Sequence, residues 1–173
     1  MGNDSKGYGM TTLICNTGPL IALAKIQKIA LLNELGLENI LIPSRVHKEL
    51  LGKIGEEADF IESALNGFIQ VQKREKASEA IEKMVSRLDA GEQEVILLGT
   101  AITHDVLLLI DDKAGRSIAK RLNLSVVGTA GMLLLFKQQG LIENVMPLLT
   151  EIRQRGYWLS DALMAQVQQL SSE

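Results

Sequence analysis

Five acids and one amide carry most of the chemistry this chain could perform. Glu49 lies in "SRVHKELLG", Glu92 and Glu94 in "LDAGEQEVILLGTA", and Asp111 and Asp112 in "LLLIDDKAGR". Asn16, in "LICNTGPLIALAKI", ends an apolar run just before a turn and a helix. Three or four carboxylates meeting at one place would hold Mg²⁺ or Mn²⁺, hard cations that prefer oxygen ligands. Such a cluster suits phosphodiester hydrolysis, in which the ions polarise the phosphate, activate a water and stabilise the leaving oxygen.

Each acid also has a plainer role. Asp111 sits where a helix N-cap belongs, and Asp112 would then fall in a first turn favoured by the helix dipole. Yet two adjacent acids repel one another, and a cap needs only one. Asp89 followed three residues later by Glu92 resembles a capping box with Asp in place of Ser or Thr. At about 100° per residue Glu94 shares a face with Leu98, Ala101 and Ile102, whereas Glu92 falls on the opposite side. A carboxylate on a core stripe is costly unless paired or metal-bound, so Glu94 is the expected ligand and Glu92 the alternative. Glu49 flanks the Val46–Leu50 stripe and is either a solvated acid or part of the site. Lys113, Arg116, Lys120 and Arg121 form either a solvated helix face or a cationic rim that offsets backbone phosphate charge. His47 and His104 have no metal-ligand spacing, and no Gly-rich phosphate loop or Ser nucleophile elbow is present.

These residues need a frame. "TLICN" (12–16), "NILIP" (39–43), "VLLLID" (106–111) and "LSVVG" (124–128) are continuous apolar runs, as expected for strands covered on both faces. "GFIQVQK" (67–73) is a fifth. Helical patterns follow Pro19 and Pro43, then occupy 55–67, 78–88, 90–102, 112–122, 129–140, 143–155 and 160–171. Strands alternating with helices predict an α/β fold, three layers deep, with a mostly parallel sheet. Ligands in such folds gather beyond the carboxyl ends of the strands, which is where Asn16, Asp111 and Asp112 fall.

At 173 residues the expectation is one domain over 10–173, preceded at 1–9 by a polar, Gly-rich disordered tail or added leader. Hydrophobic residues make up 46% of the chain and aromatic ones only 3%, so aliphatic side chains must build the core. A net charge of -3 gives no global attraction to nucleic acid, and any such contact must use a local patch. The single cysteine, Cys15, excludes an internal disulfide and favours the cytoplasm. "MLLLF" at 132–136 is far shorter than the roughly 20 residues a membrane span needs, so no membrane association is expected.

Taken in order, "CNTGPLIAL", "LDAGEQEVILL", "LLLIDDKAGR", "VVGTAGMLLLFKQQGLI" and "GYWLSDAL" resemble the PIN-domain nucleases, the fold of VapC-type toxins in toxin–antitoxin pairs. The resemblance runs from residue 12 to about 170. It implies a parallel sheet flanked by helices and hydrolysis of RNA with Mg²⁺ or Mn²⁺ held by three or four acids. Carried onto this chain, the first acid's position is Asn16, the second Glu49, the third Glu94 with Glu92 as alternative, and the fourth Asp112 beside Asp111. Thr17 stands where the family often has a hydroxyl. With the cationic rim on its RNA reading, Lys113 and Arg116 join Thr17 as expected RNA contacts, and the resemblance also implies an antitoxin protein as partner and a homodimer. For self-association the chain offers Leu163, Val167 and Leu170 on the last helix, a stripe that packs either on its own domain or on a second copy.

Asn16 departs from the pattern. Its carbonyl can touch a metal but brings no charge. One charge about 4 Å from another contributes roughly 4 kcal/mol at an effective dielectric near 20, most of it absorbed by desolvation. A net loss of about 2.7 kcal/mol would still weaken metal binding roughly a hundredfold. The expectation is a metal-dependent endoribonuclease that is weakened or inactive as written. The alternative is a non-catalytic RNA-binding or protein-interaction module on a degenerate fold of this kind.

Overall fold

The computed structural model describes residues 8–173, so most of the expected tail at 1–9 lies outside the described residues. The chain enters the first strand through a turn in which Thr11 N donates to Tyr8 O at 2.8 Å. Five strands form: β1 (Thr12–Cys15), β2 (Asn39–Pro43), β3 (Ile69–Gln72), β4 (Val106–Leu109) and β5 (Ser125–Val127). All neighbours are parallel, in the order β3-β2-β1-β4-β5. The four continuous apolar runs are strands, as expected, the alternating run at 67–73 holds the fifth, β3, with only Ile69 buried, and the sheet is wholly parallel.

The central strands are covered on both faces. Leu13, Ile14 and Cys15 of β1 and Leu108 and Leu109 of β4 are all fully buried. Each such aliphatic side chain contributes about 1.5–3 kcal/mol relative to exposure. Burial also pushes the Cys15 thiol pKa far up, which leaves it an inert packing group.

Helices flank this sheet. They are α1 (Thr17–Lys25), α2 (Ser44–Leu51), α3 (Ala58–Gly67), α4 (Glu79–Val85), α5 (Ala90–Ala101), α6 (Lys113–Arg121), α7 (Thr129–Gln138), α8 (Met146–Gln154) and α9 (Asp161–Ser171). A 3-10 turn at Ile29–Glu34 was not foreseen. It buries Ile29 and Leu32 through spacing too short to show a helical period. α5 packs against β1, β2 and β4 with α2, α4 and α6 around it, while α1 packs against α2, α3, α7 and α8. In α9, Val167 is 2% exposed and Leu170 63%, so the centre of the expected stripe packs on its own chain and its end faces outward. Among the described residues no helix is long and apolar enough to cross a membrane.

The chain builds one half of the sheet outward from β1 through β2 to β3. It then crosses back to lay β4 on the free side of β1. The order reverses between β1 and β4, and their carboxyl ends open a crevice there.

Candidate functional site

Asn16 follows β1 directly and occupies the N-cap of α1, but its side chain caps nothing. Its backbone N–H donates to Leu109 O at 3.0 Å, extending the β1–β4 ladder by one bond and holding the residue at the crevice mouth. Across the crevice lies Gly91 in the first turn of α5. A Cβ there would stand 3.1 Å from Asn16 Oδ1 and 3.2 Å from Glu49 Oε2. Glycine is what lets the backbone of α5 approach both groups.

Glu49 reaches the crevice from α2, where its Oε2 accepts from Thr17 Oγ1 at 2.5 Å and its Oε1 from Arg45 Nε at 3.3 Å. The hydroxyl expected beside position 16 thus serves Glu49. At the end of β4 the two adjacent acids have separate fates. Asp112, not Asp111, is the N-cap of α6: its Oδ2 accepts from Ala114 N at 3.0 Å and Gly115 N at 3.2 Å. This corrects the expected register of the cap by one residue. Asp111 turns the other way, where its Oδ1 accepts from Thr129 N and its Oδ2 from Thr129 Oγ1, both at 2.6 Å. The Tyr157 hydroxyl donates to the same Oδ2. Burial, then the Asp111 charge, hold that phenol well above its ordinary pKa.

A second correction concerns α5. Glu92, not Glu94, faces the crevice. Glu94 accepts from Arg45 N at 3.0 Å and caps the first turn of α2. Glu92 is only 4% exposed. The expectation rested on one apolar stripe, but Val95, Ile96, Leu97, Leu98 and Gly99 are all buried, so α5 has no single core face. Asp89 caps α5 as foreseen, its Oδ1 accepting from Glu92 N at 2.8 Å. Burial first, then the charges of Asp89 and Asp112, push the Glu92 pKa up to about 7.

Asn16, Thr17, Gly18, Pro19, Glu49, Asp89, Glu92, Asp111, Asp112 and Tyr157 line one open cleft of about 200 Å³. Lys113 and Arg116 lie just beyond it on α6, and the buried Arg116 Nε has no hydrogen-bond partner among the described residues. Sequence reasoning missed Tyr157 and treated Asp89 only as a cap. A polar-tipped aromatic in a loop of an aromatic-poor chain was the available signal for the tyrosine.

A lining rich in carboxylate and carbonyl oxygens, with the Glu92 pKa raised by burial and by its acidic neighbours, fits a hard divalent cation in kind. As the side chains stand, no three His, Cys, Asp or Glu among the described residues are gathered closely enough to hold one. The fit is therefore in donor chemistry and charge, and the carboxylates would have to draw together around an ion. A family model described as a PIN domain matches residues 12–173. No curated protein matches the chain at a significant level.

Proposed function

This chain belongs to the PIN-domain family, a nuclease-type fold, and we propose that its acidic cleft is the site of Mg²⁺- or Mn²⁺-dependent RNA cleavage, weakened by Asn16. The observation that carries this reading is the convergence of Asn16, Glu49, Glu92 and Asp112, from four separate elements, on one cleft at the β1/β4 crevice. When bound, the metal polarises the phosphate, activates a water and stabilises the leaving oxygen.

The chain's own groups prepare for it. Asp112 lines the cleft while its Oδ2 is spent on the α6 cap. Thr17 orients Glu49. Glu92 retains a proton close to neutral pH, and exchanging that proton for a cation couples binding to pH. Asn16 supplies a neutral carbonyl where a further charge would help. Lys113 and Arg116 present cations to the strand outside the acidic lining.

Cleavage of RNA with Mg²⁺ or Mn²⁺, before and after Asn16→Asp, tests this reading. The Asp form should cut, and adding Asp112→Asn to it should abolish cutting. Intact RNA with the Asp form across a range of substrates would end the nuclease reading. A VapC-type toxin role held in check by an antitoxin belongs to the same reading, and there the Asn16→Asp form should arrest the growth of cells that tolerate the present chain.

The neutral amide at position 16 and the internal engagement of Asp111 favour a second reading, a non-catalytic module that binds RNA or protein. Calorimetry separates the two, because such a module binds its partner equally well with and without divalent cations.

A further inference from the structure

The loop joining α8 to α9 touches the cleft on one side and solvent on the other. Tyr157 lines the cleft, and its hydroxyl stands 3.0 Å from where a Cβ on Gly18 would be. Just upstream, Arg155 is held by Glu151 at 3.0 Å and Glu56 at 3.4 Å, and its carbonyl accepts from Lys25 Nζ at 3.3 Å. Just downstream, Leu159 is buried, and Ser160 Oγ caps α9 by accepting from Leu163 N at 3.1 Å. Between these anchored positions Trp158, the only tryptophan in the chain, is turned outward and 82% exposed.

We propose that Trp158 is a stacking platform for an unpaired base of an RNA strand that enters the cleft. This rests on reading the cleft as an RNA site. Three points carry it. Among the described residues the cleft is lined by acids and by no Lys or Arg, so its lining offers phosphates no cation, and a contact that does not depend on charge adds to the hold of Lys113 and Arg116 outside it. Stacking on an aromatic face is such a contact. The loop is tied down on both sides of the indole, so presenting the ring costs little ordering on binding. Successive Cα atoms lie about 3.8 Å apart, so the ring starts one residue from the cleft wall, within reach of the base next to a nucleotide seated there. An unpaired strand is implied because bases in a duplex are already stacked on one another.

The lone tryptophan makes its own emission the reporter. The full chain is titrated with a short unstructured oligoribonucleotide and with a duplex of the same sequence, each with Mg²⁺ and with chelator. Anisotropy of labelled RNA is followed in parallel. The single strand should quench the emission with the same midpoint as the anisotropy change, and the duplex should quench it little. Trp158→Ala should weaken single-strand binding roughly tenfold, with melting temperature and salt dependence unchanged, and Trp158→Phe should keep most of the affinity. Anisotropy that reports binding without quenching, or equal affinity in Trp158→Ala, overturns the platform, leaves the indole to a protein partner, and leaves the RNA reading standing. Absence of any anisotropy change under all conditions overturns both.

Discussion

The sheet carries an open cleft at each end, and the two are nearly equal in size. The one at the amino ends of β2 and β3 measures about 210 Å³, the one at the carboxyl ends of β1 and β4 about 200 Å³. Their chemistry differs. The first is lined by side-chain amides, aliphatic groups, Phe68 and a single acid, Glu38, which lies 3.6 Å from the His104 imidazole. The second gathers Glu49, Asp89, Glu92, Asp111 and Asp112 with no Lys, Arg or His among its lining residues. Volume does not distinguish the two clefts, but the charge of their lining residues does. Charge of one sign is costly to hold together, and at the carboxyl end the chain tolerates it.

The sharpest way to widen this contrast is Asn16→Asp, which adds one more acid to the second cleft. Divalent-cation affinity should rise about a hundredfold, read by calorimetry with Mg²⁺. An unchanged affinity would mean that position 16 does not share the field of the other carboxylates. Next in size, Tyr157→Phe removes a half-buried donor to Asp111 and should cost about 1 kcal/mol in denaturant unfolding. A smaller value would show that Thr129 alone satisfies that carboxylate.

Glu92 makes stability pH-dependent, on the order of 1 kcal/mol because water reaches its cleft side. Its native pKa is raised from an ordinary 4.5 to about 7, so between these values the folded state binds more protons than the unfolded one. Its contribution is therefore fully present below about pH 4.5 and is lost as the pH rises through about 7. Glu92→Gln should flatten that decline, and thermal melts at pH 5 and pH 8 measure it. Smallest of all, Glu38→Gln in the other cleft acts on an exposed partner of His104 and should shift stability by less than about 0.5 kcal/mol, with metal binding untouched. A large effect there would dissolve the distinction between the two ends.

How far the sequence foretold this depends on how local each signal was. The strands were legible because burial on both faces demands unbroken aliphatic runs, and "TLIC" and "VLLL" supply them. Asn16 and Asp112 were legible because strand ends in parallel sheets face the crevice. Glu92 and Glu94 were misassigned because a helix enclosed by three helices and the sheet obeys no single stripe. Their roles were decided by α2, whose Arg45 N claims Glu94. The cap was given to Asp111 and not to Asp112, since the partners that draw Asp111 away, Thr129 and Tyr157, lie 18 and 46 residues from it.

The pairing of β1 with β4 also has a consequence for synthesis. Thr12 meets Val106 and Cys15 meets Leu109, so the wall bearing position 16 waits for a strand made more than half a chain later. A nascent polypeptide that stops short of Asp112 has no assembled cleft, whatever acids it has already translated. The ribosome therefore completes most of this protein before the groups of the cleft can act together.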